Sequence, residues 1–548
     1  MNLQITLLVV KLITTGGRII MTFKVLISDP LSEEGIQPLR KNENITIMME
    51  TNLSPHELEN RIGEFDALLV RSQTQVTREL IRKARNLKII GRAGVGVDNI
   101  DLEAATENGI IVVNAPNGNT NSAAEHTMAM LMALSRNIPQ AFHALKNRKW
   151  DRKKFVGIEI KNKTLGIVGL GRIGAEVAAR AKGQRMNVIA YDPFLTEEKA
   201  EQMGIQYGTL EDVLKRADMI TVHTPLIKKT RHMINAKAFE TMKTGVQIVN
   251  CARGGIIDED ALYDAIISGK VAGAALDVFE EEPFIDHKLL TLEQVVATPH
   301  LGASTIEAQE IVAIDVSHDV ISFLNGDVVK NPVNLPAVPS EIMHKIEPYF
   351  HLAEKLGTFL IDLTKEVVEE INITYSGDLS EIEVAPLTRN TVKGILKRFL
   401  GSHVNDVNAL YLADKKEIIV KESKTSSTKG FTNLITVEVT SKSGSRKVAG
   451  TLLNGFGPRL VRVDEYRVDV TPMGHMVVIQ HTDQPGVIGR MGSTIAKHQI
   501  NIATMQVDRS DIGGNAIMIL TIDKHLEAEA LEELKSLDEI KEVTAIDL

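Results

Sequence analysis

The stretch Thr164-Leu165-Gly166-Ile167-Val168-Gly169-Leu170-Gly171-Arg172-Ile173-Gly174 runs from an apolar, strand-like segment directly into a glycine turn. Helix-forming Ala175–Lys182 follows at once, so the GxGxxG pattern sits between a strand and a helix, where it carries meaning. Gly169 permits the tight turn, Gly171 lets a pyrophosphate approach the backbone, and Gly174 allows close helix–strand packing. Free N–H groups at the helix start favour the phosphates. The next strand ends at Asp192, 18 residues after Gly174. A carboxylate there binds ribose hydroxyls and repels a 2′-phosphate, which selects NAD over NADP.

On both sides of this stretch, strands alternate with helices. Phe23–Asp29, Ala67–Ser72, Leu87–Gly94 and Gly109–Pro116 are short apolar runs bounded by turn residues. Residues 119–137 form one long helix capped by Thr120 or Asn121, with Met128, Leu131, Met132 and Leu134 as packing positions. Strands Val188–Asp192, Met219–His223, Val246–Asn250, Gly273–Asp277 and Val295–Thr298 continue the second series. A return helix covers Ser304–Leu324, and the proline-rich segment Asn325–Pro339 is a linker. This rhythm predicts an α/β chain with two facing Rossmann-like βα lobes and a cleft between them. Residues 340–470 mix helices and strands, with Lys421–Lys429 as a polar loop. The final segment has the order βαββαβ, a ferredoxin-like unit.

A chain of 548 residues holds about three to five domains. Its 62 basic against 71 acidic residues give a net charge of −9, with no basic block to suit nucleic acid. One cysteine, Cys251, excludes a disulfide framework and fits a reducing compartment such as the cytoplasm. No cluster of metal ligands stands out. Residues 1–20 read as an unstructured leader: the apolar run Ile5–Val10 is too short to span a membrane and lacks a cleavage site.

Ligands of open α/β sheets bind beyond the carboxyl ends of the strands. In the second series those ends carry His223-Thr224, Cys251-Ala252-Arg253, Asp277 followed by Glu282, and Pro299-His300-Leu301-Gly302-Ala303. The first series ends in Ser28-Asp29, Arg71-Ser72, Arg92 and Asn114. The cleft is therefore cationic and suits a small anionic substrate. Hydride chemistry on an alcohol needs a base, for which His300 qualifies. Glu282 can orient the imidazole, and Arg253 can grip a carboxylate with two parallel hydrogen bonds.

The runs Gly91-Arg92-Ala93-Gly94-Val95-Gly96-Val97-Asp98-Asn99-Ile100, Asn250-Cys251-Ala252-Arg253-Gly254-Gly255 and Pro299–Ala303, with the glycine turn, resemble the D-isomer-specific 2-hydroxyacid dehydrogenases. The extra domains narrow the resemblance to the long, phosphoglycerate-oxidising branch of that family. The resemblance implies NAD-dependent oxidation of 3-phospho-D-glycerate to 3-phosphonooxypyruvate, the entry to serine synthesis, by a homotetramer. It implies Arg253, Glu282 and His300 as catalytic residues. It places Gly169, Gly171, Arg172, Ile173, Gly174, Asp192, Thr224, Cys251, Ala252, Arg253, Asp277, His300, Gly302 and Ala303 at the cofactor. Arg71, Ser72 and Arg92 fall to the substrate. The implied domains are 21–117 with 304–331 for substrate, 118–303 for NAD, 332–470 intervening and 471–548 an ACT regulatory unit. In that last unit His481, Asp483 and Asn501 are candidates for binding L-serine. Other readings are a reductase of glyoxylate, hydroxypyruvate or 2-oxoglutarate, and an NAD-sensing scaffold without catalysis.

Overall fold

The computed structural model describes residues 13–15, 18–20, 22–336 and 338–548. Thr164–Val168 buries every residue after its first. A strand covered on both faces belongs inside a parallel sheet, and this one lies within a sheet of seven. The order is Gln206–Tyr207, Asn187–Tyr191, Thr164–Val168, Met219–Val222, Val246–Asn250, Val271–Leu276, Val295–Ala297. Every neighbouring pair is parallel. Strand order reverses between Thr164–Val168 and Met219–Val222, which opens a crevice there. Gly169 has φ 96°, and a β-carbon on it would lie 2.6 Å from the His223 carbonyl oxygen. A β-carbon on Gly174 would lie 2.2 Å from the Gly169 carbonyl oxygen, so helix Arg172–Gly183 can start this close only with glycine.

Helix Thr120–Ser135 packs Met128, Met130, Leu131 and Leu134 into one core with Leu165, Ile167 and Val177. Its cap differs from the expected Thr120 or Asn121. Asn119 occupies that position and its side chain makes no capping bond. The backbone there, at φ −113° and ψ 10°, is not the extended geometry that aims a side-chain oxygen at the first turn.

The first lobe is a five-stranded parallel sheet ordered Ile45–Met49, Phe23–Ile27, Ala67–Val70, Ile89–Arg92, Ile111–Asn114. Helix Ile306–Leu324 returns to it from the other lobe. Val312, Val316 and Val320 join the core of Val25, Ile27 and Val113. Added β-carbons would lie 2.2 Å from Ala313 at Gly35 and 2.4 Å from Val316 at Gly91, so bare backbone admits the helix. Beyond it, Asn334 clips the sheet edge, accepting from the Val112 N–H and donating to the Ile110 carbonyl, both at 2.9 Å.

The next unit has a six-stranded mixed sheet, ordered Ile419–Thr425, Glu370–Gly377, Asn433–Ser441, Gly444–Leu453, Gly457–Val463, Tyr466–Val470. The start of the expected polar loop, Lys421–Thr425, is instead an edge strand paired in parallel with Glu370–Gly377. Half-solvated edge strands need no apolar run, which hid it in the sequence.

The last unit is a four-stranded antiparallel sheet ordered Ile502–Arg509, Asn515–Ile522, His475–Thr482, Ile540–Asp547, with helices Val487–Lys497 and Ala528–Lys535. Its strands alternate by face. Met476 and Val478 pack into the preceding unit's core, while Val477 and Ile479 pack beneath the two helices. At the start of the chain, Ile13–Thr15 pairs antiparallel with Arg18–Ile20, so part of the expected leader has regular structure. The remainder of that expectation lies outside the described residues.

Candidate active site

His300 follows strand Val295–Ala297 with φ 55°, a conformation that a β-carbon disfavours. Asp277 holds it there. The Asp277 carboxylate is fully buried and accepts from the N–H groups of Leu301 (2.7 Å) and Gly302 (2.8 Å) and from the Thr298 hydroxyl (2.6 Å). The Asp277 carbonyl accepts from the His300 N–H at 2.9 Å. His126 supports the same carboxylate from helix Thr120–Ser135, its Nε2 lying 3.2 Å away. Burial alone would push the pKa of Asp277 up, but these donors hold it below the ordinary carboxylate value. Asp277, which the resemblance assigns to the cofactor, thus also positions the His300 loop.

His300 Nδ1 lies 2.8 Å from Glu282 Oε2, and the other Glu282 oxygen accepts from the Phe279 N–H at 3.1 Å. Burial pushes the Glu282 acid upward, yet the His300 hydrogen bond and charge outweigh it and keep the carboxylate ionised. A carboxylate at Nδ1 places the proton on that nitrogen, so Nε2 is the basic atom and no described residue engages it.

Opposite lies a group of arginines. Arg253 follows strand Val246–Asn250, and the Asn250 side chain shapes its turn by donating to the Arg253 carbonyl (2.9 Å) and accepting from the Ala252 N–H (3.0 Å). Arg253 Nε reaches Asp98 of the first lobe at 3.0 Å. Arg92 ends strand Ile89–Arg92, and its Nε is buried without a hydrogen-bond partner. Burial, then the charges of Arg253 and Arg71, push its guanidinium down to about 10. Side chains at Gly94 and Gly96 would overlap Arg92 and Arg253, so this loop is bare where the cations pass. Asp29 clamps the Arg71–Thr74 loop, accepting from the Arg71 N–H at 2.6 Å and the Thr74 hydroxyl at 2.5 Å. Ser72 lies exposed on that loop. The structure therefore joins strand ends of both lobes around three arginines, with Asp98 and Asp29 among them.

The crevice fits a dinucleotide. The Gly169–Gly174 turn leaves its helix N-terminus open, and nothing stands within 4 Å of where a Gly171 side chain would begin. Asp192 accepts from the Leu170 N–H at 2.9 Å, which fixes the turn beside it. Thr224 Oγ1 is buried without a partner at the crevice, as is His223 Nδ1, whose imidazole burial pushes down to about 4. Arg172 donates to the Pro116 carbonyl at 3.2 Å, linking the turn to the first lobe. Ile173 is half-buried against the core of the turn. Gly302 backs onto Asp277, with Ala303 beside it. Cys251 is buried, and burial followed by the charge of Asp277 pushes its thiol up to about 12.

In the terminal unit the three effector candidates are engaged separately. Asp483 accepts from Arg509 at 2.8 Å, and Asn501 donates to Asp523 at 3.0 Å. His481 lines a cavity of about 370 Å³ with Arg446, Tyr466 and Lys541, and its Nε2 is buried without a partner. Asp98 and His126 carry no sequence signal as site residues, and Asp29 is legible only as a strand end. Asp98 lies within the quoted Gly91–Ile100 run, but its contact to Arg253 is visible only in three dimensions.

The dinucleotide crevice with a carboxylate–histidine pair facing arginines defines a hydroxyacid dehydrogenase. Comparisons agree: residues 128–302 match the family D-isomer specific 2-hydroxyacid dehydrogenase, NAD binding domain. Residues 345–464 match the D-3-phosphoglycerate dehydrogenase intervening domain, and residues 475–539 an ACT domain. The D-3-phosphoglycerate dehydrogenase of Bacillus subtilis is 48% identical over 526 residues, covering 96% of this chain and all of that one. The enzyme of the same name from Methanocaldococcus jannaschii is 45% identical with the same coverage. Among solved structures, D-lactate dehydrogenase from Aquifex aeolicus, complexed with NAD and lactic acid, is 30% identical with a TM-score of 0.51. It aligns over 57% of this chain and all of its own. The chain belongs to the D-3-phosphoglycerate dehydrogenase family. It is an NAD-dependent oxidoreductase, and no described helix is long and apolar enough to cross a membrane.

Proposed function

We propose that the chain oxidises 3-phospho-D-glycerate to 3-phosphonooxypyruvate in serine biosynthesis, with His300 as general base. The observation that carries this reading is Arg92, half-buried, with its Nε buried and unpartnered and the like charges of Arg253 and Arg71 acting on it. A substrate with a phosphate and a carboxylate relieves that repulsion; a singly charged 2-hydroxyacid does so less. Arg253 holds the carboxylate, exchanging its Asp98 partner for it, and Arg71, Ser72 and Arg92 hold the phosphate or the carboxylate. His300 Nε2 takes the proton of the C2 hydroxyl while Glu282 stabilises the imidazolium that forms. NAD, held in the crevice, would supply the acceptor for the hydride that leaves C2. Thr224, the glycine turn, and the backbone of Cys251–Ala252 and Gly302–Ala303 would hold the cofactor, with Asp192 at its ribose.

The relatives of the same name support this substrate, and the ACT match supports an amino-acid effector, for which L-serine at His481, Asp483 and Asn501 is the candidate. We further propose a cytoplasmic homotetramer. The test compares kcat/KM for 3-phospho-D-glycerate and D-glycerate, with and without L-serine. A preference of about 100-fold for the phosphorylated acid is expected, since removing a partner from a buried charge costs several kcal/mol. Equal rates would remove the phosphate role of the arginines.

A further inference from the structure

The geometry points to a divalent transition-metal site on the terminal unit, formed by His475, His525 and Asp547, which staples three segments of its sheet at the end nearest the preceding domain. His475 heads a central strand and stands directly opposite Asp547 on one neighbour and Ile522 on the other. His525 follows Ile522 by three residues, so the sheet register brings all three side chains to one corner. His475 Nδ1 lies 2.6 Å from one Asp547 oxygen and His525 Nδ1 lies 2.9 Å from the other. The three donor atoms fall within 4.8 Å of one another. Two imidazole nitrogens and a carboxylate oxygen form a donor set that Zn²⁺ and its neighbours in the first transition row accept, with water completing the sphere.

The surroundings favour a cation. Asp362, almost fully buried on helix Phe350–Leu363, repels Asp547, and Arg398 alone pairs with it, at 2.7 Å. Two carboxylates from the two domains therefore meet at this corner, one of them paired with Arg398. His525 and Asp547 are exposed, so an ion has free entry. The same corner is where Gly474 and Leu548 exchange backbone hydrogen bonds and where the chain arrives from strand Tyr466–Val470. An ion there would fasten the first strand, the last strand and the loop between Ile522 and Leu526 to one another, far from His300.

The experiment uses the full chain, freed of metal with EDTA, titrated with Zn²⁺ calorimetrically and with Co²⁺ by visible absorption. One Zn²⁺ per chain is expected, together with a Co²⁺ ligand-field spectrum. H525A and D547N should each weaken binding by at least about tenfold, because loss of a ligand costs no less than loss of an outer partner. NADH formation by metal-free H525A should match the metal-free parent, which shows that the variant folds. Absence of saturable binding, or binding of equal strength in H525A and D547N, would overturn the site.

Discussion

His300 Nδ1 and Glu282 Oε2 lie 2.8 Å apart, although the two residues come from loops after different strands. Phe279 fixes the carboxylate and Asp277 fixes the histidine backbone, so the pair is built before substrate arrives. His300→Ala should lower kcat by about 10²–10⁴-fold while NADH affinity, read by fluorescence titration, stays nearly unchanged. Turnover at the parental rate would remove His300 as the base.

Arg92 is half-buried, its Nε is buried without a hydrogen-bond partner, and the charges of Arg253 and Arg71 act on it against those of Asp98 and Asp29. Arg92→Ala should therefore raise KM for 3-phospho-D-glycerate by about tenfold or more and alter kcat less, with Arg92→Lys recovering part of the loss. Steady-state kinetics separate the two constants. A fall in kcat with KM unmoved would place Arg92 outside substrate binding.

Asp192 supports the turn through Leu170, and we propose it as the carboxylate that selects against a 2′-phosphate. Asp192→Ala should lower the ratio of kcat/KM for NAD over NADP by about tenfold. An unchanged ratio would leave Asp192 with only its structural bond.

Glu259 accepts from the Glu280 N–H at 2.7 Å behind the Glu282 loop. Burial, opposed by that bond and aided by the charge of Glu280, pushes its acid from 4.5 to about 7. A raised folded value means a stability contribution that is complete below pH 4.5 and lost as pH rises through about 7. The full span is worth up to about 3 kcal/mol. Glu259→Gln should flatten the stability–pH profile across this window, as read by urea midpoints at several pH values. A profile parallel to the parent would refute the raised acid.

The lone thiol, Cys251, is held up to about 12 by burial and by Asp277. It should resist alkylation in the folded enzyme at pH 8 and react on unfolding, as mass spectrometry would record. Rapid labelling of the native chain would contradict this environment.

What the sequence disclosed follows from how local each signal is. The Gly169–Gly174 turn is legible because its three glycines answer steric contacts within one βα unit. Strand ends delivered Arg253, Glu282 and His300 to a common edge because a parallel sheet aligns its carboxyl termini. The contacts that tune the site join distant segments: Asp98 to Arg253, Asp29 to the Arg71 loop, and His126 to Asp277. No period or spacing encodes them. Asp277 illustrates the limit, since its position at a strand end discloses nothing of the loop donors that its carboxylate gathers. The edge strand Ile419–Thr425 is hard to read in the sequence for a related reason, since its exposed residues carry little hydrophobic alternation.

The most direct measurement is NADH formation from NAD and 3-phospho-D-glycerate at alkaline pH with the product trapped, against glyoxylate and 2-oxoglutarate run in the reducing direction. Robust turnover of the phosphorylated acid, lost in His300→Ala and impaired in KM by Arg92→Ala, is the result that the arginine cluster and the His300–Glu282 pair require. Turnover confined to the unphosphorylated oxoacids would contradict the assignment of the substrate.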